Sequence, residues 1–325
     1  MSAAREKLDV ARHLSSTGGM TVPSRLPQTE GVSARYRDLD LWSSETALDT
    51  LWEGQMAAIA ALRPALPALA AAADAAATRL ATGGGRLIYA GAGTSGRLAA
   101  LDAAELPPTF DWPYERTHLL IAGGSASLLR AAEGAEDDAA AARVALTTAT
   151  ASPTDVLIAL AASGATPFTI EAVRAARAAG VLTIAIANNP GAPLLAAAEH
   201  AILLETGAEA IAGSTRMKAG TAQKAALTLL STQIMVRLGR VFEGRMVEMP
   251  PTNAKLRSRA AQMVADLAGC TVAEATETLA ASGGRIKTAI LMHLKNLTSG
   301  EAEALLCHHA GILRHALAET KETPL

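Results

Sequence analysis

Five short, almost continuously apolar runs stand out along the chain, at residues 86–92 (RLIYAGA), 118–124 (HLLIAGG), 155–163 (DVLIALAAS), 182–189 (LTIAIANN) and 200–206 (HAILLET). A strand that is apolar on both faces is buried on both, as in a parallel sheet covered by helices on each side. The stretches between them alternate apolar and polar residues with helical spacing. They predict a helix from about Ser95, a second over 126–146, a third starting at PFTIEAVRAARAAG and a long one in TRMKAGTAQKAALTLLSTQIMVRLG. The expected fold class is α/β, a doubly wound parallel sheet of five strands.

Helical patterns flank this alternation. Residues 43–62 and 68–81 read as helix around a break at Pro64 and Pro67, with Ser43 and Ser44 as candidate caps. Past Asn253 the strands stop. NAKLRSRAAQMVADLAG, TVAEATETLAASG, RIKTAILMHLKN and SGEAEALLCHHAGILRHALAE read as four helices. The expected division is a flexible extension over 1–28, with Met20 as an alternative start, and an N-terminal helical segment packing on the core over 29–82. A sugar-phosphate-binding domain over 83–250 and a C-terminal helical domain over 251–325 complete it.

Composition narrows the function. Half of the 325 residues are hydrophobic, formal net charge is -2 and aromatics make up 3%. That balance argues against nucleic acid and anionic membranes as partners. Two distant cysteines, Cys270 and Cys307, form neither a disulfide framework nor a metal motif, which points to a reducing, cytoplasmic setting. Charged residues occupy the place of a signal-peptide core, and Asp, Arg and Pro interrupt the alanine-rich stretches short of a membrane span. His308 and His309 read as surface residues, and no metal site is expected.

Gly91, Gly93 and Gly96 spell the glycine pattern of a dinucleotide-binding turn. A dinucleotide site also needs an acid at the end of the second strand, to hold the ribose. That strand ends IAGGS instead. The loop carries Thr94 and Ser95 at a helix start, where free N–H groups and a positive dipole end suit a phosphate. Ser163 and Thr166 repeat the design after the third strand, and Ser214 and Thr215 precede another helix. Taken one at a time, each hydroxyl is ordinarily an N-cap. Recurrence at one edge of a parallel sheet favours a small phosphorylated ligand. The acidic run of Glu133, Glu136, Asp137 and Asp138 reads by spacing as a solvated helix face. Glu105, between apolar residues and Pro107-Pro108, is the more telling carboxylate.

GAGTSGRLAALDAAELPPTF, EGAEDD, AASGATPF, NNPGAPL and GSTRMKAGTAQK together resemble the N-acetylmuramic acid 6-phosphate etherases over most of the chain from Thr29 onward. The resemblance implies a sugar isomerase (SIS) domain of flavodoxin-like topology. It also implies a lyase of cell-wall amino-sugar recycling that cleaves the D-lactyl ether by elimination and hydration. It implies no metal or nucleotide cofactor, and a homodimer. Carried over by motif, Glu105 is the acid that protonates lactate and activates water, and Glu136 is the candidate C2 base. Thr94, Ser95, Ser163 and Thr166 fall to the phosphate, with Ser214, Thr215 and Lys218 as further substrate contacts. Three positions depart from the family pattern: Ser33, Tyr36 and Ala165. The alternatives are an aldose–ketose sugar-phosphate isomerase and a non-catalytic sugar-phosphate sensor. Along one straight helix, Glu105 lies about 15 Å from the phosphate loop at 1.5 Å per residue, which favours a site completed by a second subunit.

Overall fold

The computed structural model describes residues 27–319 except 82 and 131; the expectations for the extension before residue 27 and for Met20 lie outside the described residues. Five parallel strands form one sheet: β1 (Leu87–Gly91), β2 (Thr117–Ile121), β3 (Val156–Ala161), β4 (Leu182–Ala187) and β5 (His200–Leu203), in the order β2-β1-β3-β4-β5. All four pairings are parallel. This is the expected doubly wound sheet.

Alternate residues of each strand feed two different cores. Leu87 and Tyr89 of β1, Ile158 of β3 and Ile184 of β4 face one way. They pack against α2 (Leu66–Ala81), α3 (Gly93–Phe110) and α7 (Lys218–Arg237), with α1 (Ser44–Ala60) joining the same layer through Ala58. Ile88 and Ala90 of β1 and Leu157 of β3 face the other way, toward α4 (Ala139–Thr148), α5 (Pro167–Ala178) and α6 (Pro193–Ala197). Ser43 caps α1 by accepting the Thr46 N–H. Contrary to the expectation from its interrupting charges, the stretch Ser44–Ala81 is long and apolar enough by composition to cross a bilayer, a third of its most apolar window being buried within the protein.

A third core gathers the C-terminal helices α8 (Ala254–Ala268), α9 (Val272–Ala281), α10 (Ile286–Lys295), α11 (Ser299–His308) and α12 (Leu313–Ala318). It takes in Phe242 and Val247, beside a short antiparallel hairpin of β6 (Val241–Phe242) and β7 (Arg245–Met246) that the sequence pattern did not announce. Two expected helices are broken. The stretch 299–319 divides because Ala310 and Gly311 both take positive φ. The stretch 126–146 is α-helical only from Ala139, with 3-10 turns at Ser125–Leu128 and Ala135–Asp137 before it. Gly134 turns left-handed, and the Asp138 carboxylate accepts the Ala141 N–H to start α4. That break puts Glu136 and Asp137 on the short 3-10 turn Ala135–Asp137 ahead of α4, where both stay exposed.

Candidate active site

The loops after β1 and β3 meet at the C-terminal edge of the sheet. Gly91 and Gly96 let α3 start hard against β1. A side chain at Gly96 would meet the Gly91 carbonyl oxygen at 2.9 Å, and one at Gly91 would meet the Gly96 nitrogen at the same distance. The glycine pattern therefore serves strand–helix approach, with Gly93 supplying a positive φ of 54° at the turn. No side chain caps α3, and Thr166 heads α5 without a capping hydrogen bond. The expectation that such hydroxyls are ordinary N-caps does not hold there, and the helix N–H groups remain open to an anion.

These loops wall a cavity of about 380 Å³. Thr94, Ser95, Ser163, Thr166 and Thr215 line it, together with Glu136 and Asp137 from the broken helix. Among the described residues, the lining contains no lysine or arginine. The buried Ser95 hydroxyl is already committed, donating to Gln223 Oε1 at 2.8 Å; Gln223 Nε2 in turn donates to Asn188 Oδ1 at 2.9 Å. What Ser95 offers the cavity is its backbone. Arg97 donates to the Leu128 and Ser127 carbonyl oxygens at 2.9 and 3.1 Å, tying α3 to the chain that leads to Glu136.

The cavity has one further wall, to whose residues sequence reasoning assigned no role. Asn189 Nδ2 donates to Thr29 Oγ1 at 3.1 Å and to the Ala162 carbonyl at 2.8 Å, and the Gly213 N–H donates to the Thr29 carbonyl at 3.0 Å. Thr29 is fully buried by these contacts, and its neighbour Glu30 joins the lining. The available signals were the start of the resemblance at Thr29 and the NNPGAPL run that holds Asn189. Of the three departures from the family pattern, Ala165 borders the cavity while Ser33 and Tyr36 do not.

Other expected residues lie elsewhere. Ser214 is not part of the lining. The Lys218 ammonium turns inward and donates to the Thr206 carbonyl at 2.8 Å, its pKa pushed down by burial against the opposing pull of Glu209. The Glu209 carboxylate accepts the N–H groups of Lys218 and Ala219, each at 2.9 Å, at the head of α7. This lysine holds the start of α7 and does not present its charge to the cavity.

Glu105 belongs to a second cavity, of about 400 Å³, between α3 and α7. Helix α3 runs unbroken past Pro107 and Pro108, so Glu105 is not bent back toward the phosphate loop. Asp102, one turn earlier, lines the same cavity and accepts hydrogen bonds from Tyr89 at 2.9 Å and Ser231 at 3.0 Å. Burial raises the Asp102 pKa; the two hydrogen bonds and the Lys224 charge pull it down, and the Glu105 charge adds to the rise.

The chain is similar to known proteins over most of its length. The profile of the glucokinase regulatory protein N-terminal SIS domain matches residues 69–177. A phosphoheptose isomerase from Francisella tularensis superposes with a TM-score of 0.45 at 20% identity, over 60% of this chain and 98% of that one. An N-acetylmuramic acid 6-phosphate etherase from Deinococcus radiodurans is 49% identical over 92% of this chain and 97% of its own length. Another from Erwinia tasmaniensis is 46% identical over 88% and 94% respectively. Identity of that degree over that share of both chains makes this chain a member of the N-acetylmuramic acid 6-phosphate etherase family.

Proposed function

We propose that the protein cleaves the D-lactyl ether of N-acetylmuramic acid 6-phosphate, releasing D-lactate and N-acetylglucosamine 6-phosphate in the recycling of cell-wall amino sugars. Near-full-length identity to etherases carries this reading. The cavity supports it: open helix ends and hydroxyls suit the 6-phosphate, with a carboxylate beside them. The sugar ring opens to its aldehyde, which acidifies the C2 proton. Glu136 takes that proton as base. The C2–H electron pair becomes the C2–C3 double bond as the C3–O bond breaks, and Glu105 gives its proton to the departing lactate oxygen. Glu105, now ionised, takes a proton from water. The hydroxyl adds to C3 and a proton returns to C2.

Glu105 and Glu136 line different cavities of one chain. A hexose phosphate does not bridge the roughly 15 Å of helix between the phosphate loop and Glu105. We therefore infer a homodimer in which Glu105 of one protomer completes the phosphate cavity of its partner. The two free cysteines suit a cytoplasmic setting.

The test is D-lactate release from the sugar phosphate by wild type, Glu105→Gln and Glu136→Gln. Each variant should lose a factor of about 10² to 10⁴. Undiminished release in both overturns the mechanism. Interconversion of aldose and ketose phosphates without lactate identifies an isomerase, and binding without turnover identifies a sensor. Mixing Glu105→Gln subunits with Glu136→Gln subunits should restore part of the activity; no restoration argues against a shared site.

A further inference from the structure

The substrate read above carries two anions, the phosphate on C6 and the carboxylate of the lactyl group on C3. Among the described residues, the cavity that suits the phosphate presents Glu30, Glu136 and Asp137 and no basic side chain, so once the phosphate takes its open helix ends a second anion finds no partner there. The lactyl carboxylate is one carbon removed from the ether oxygen. Whatever recognises it has to stand beside the acid that protonates that oxygen.

Among the described residues, the Glu105 cavity has three charged lining residues: Asp102, Glu105 and Lys224. Asp102 is held by Tyr89 and Ser231 and repels a second carboxylate. Lys224 is the one cation of the lining among the described residues. It is exposed, and it lies near enough to Asp102 for its charge to favour the ionised carboxylate. Around it the wall is divided: Thr109, Thr228 and Thr232 are polar, whereas Leu98, Leu101 and Leu227 are apolar. A cation, a proton donor and an apolar wall in one 400 Å³ cavity match the carboxylate, ether oxygen and methyl group of one lactyl substituent.

We propose that Lys224 recognises the lactyl carboxylate, and that the cavity between α3 and α7 is the specificity pocket for a carboxylate-bearing ether substituent. The inference rests on the etherase reading and on Glu105 as the acid. It gives Lys224 a task distinct from that of Lys218, although both fall in the same run of sequence.

The test compares kcat/KM for N-acetylmuramic acid 6-phosphate and for its lactyl carboxamide, in wild type, Lys224→Met and Lys224→Arg. Loss of a charge-assisted hydrogen bond should cost Lys224→Met roughly tenfold to a hundredfold on the carboxylate substrate. The carboxamide should be nearly indifferent to the change, and Lys224→Arg should retain most of the preference. Inhibition by D-lactate should weaken in Lys224→Met, while inhibition by D-lactamide should not. Equal losses on both substrates, or no loss on the carboxylate, overturn the proposal. If wild type releases no lactate at all, the etherase reading fails, and that is visible before any variant is made. If Glu105→Gln is inactive while Lys224→Met keeps its preference for the carboxylate, this inference alone fails.

Discussion

Asp155 shows how one residue can hold the sheet edge opposite the active site. Its side chain is 1% exposed and pairs with Arg86 at 2.7 Å, while also accepting the N–H groups of Ser152 and Arg86. Burial pushes its pKa up, but the bonds from Arg86 and from the two backbone N–H groups outweigh that and leave it lowered. An aspartate in an unfolded chain titrates near a pKa of about 3.9. The stabilising contribution is therefore full above that value and is lost as pH falls through the lower folded pKa. Asp155→Asn should destabilise the protein by about 3 kcal/mol at neutral pH, because it leaves a partly buried guanidinium without its counter-charge. Urea midpoints at pH 7 and pH 3 check this: the gap between wild type and variant should narrow in acid. An equal gap at both values rules out the ion pair as its source.

At the level of elements, the glycine turn after β1 ties packing to binding. A methyl group at Gly96 meets the Gly91 carbonyl and the Ile121 side chain, so α3 has to lift from the sheet to admit it. Gly96→Ala should lower stability by about 1 to 3 kcal/mol and weaken sugar-phosphate binding, because the N–H groups facing the cavity move with the helix. Titration with N-acetylglucosamine 6-phosphate, beside a thermal melt, reads both; unchanged affinity separates the turn from the phosphate site. The strands were legible in the sequence because a parallel strand buried on both faces is one apolar run. The acidic stretch before α4 was not, because alanine and glutamate favour helix locally while Gly134 and the Asp138 cap decide the outcome. Glu30 was hidden for another reason. The bonds that set its place join Thr29 to Asn189, 160 residues away, and no local pattern records such a contact. Lys218 was named by its motif, but a motif does not show which way a buried ammonium turns.

At the scale of the whole molecule, the second cavity opens beside an apolar face that one chain leaves uncovered. Leu48, Trp52, Met56 and Ile59 recur with helical spacing on α1 and are 66, 60, 53 and 46% exposed. Ile59 shares a shallow groove with Lys224 and Thr228, which also line the Glu105 cavity. The uncovered face is therefore continuous with the cavity that the homodimer proposal requires a partner to meet. Large exposed apolar patches of this kind mark protein contacts. Trp52→Glu should then give a monomer by light scattering. Its melting temperature should stay close to that of the wild-type chain at the lowest concentration measured, since the side chain is solvated within one protomer. Lactate release should fall to the level of Glu105→Gln, because no second subunit delivers the acid. A monomer that kept full activity would force both carboxylates into one chain's site, and α3 would then have to bend where it runs straight here.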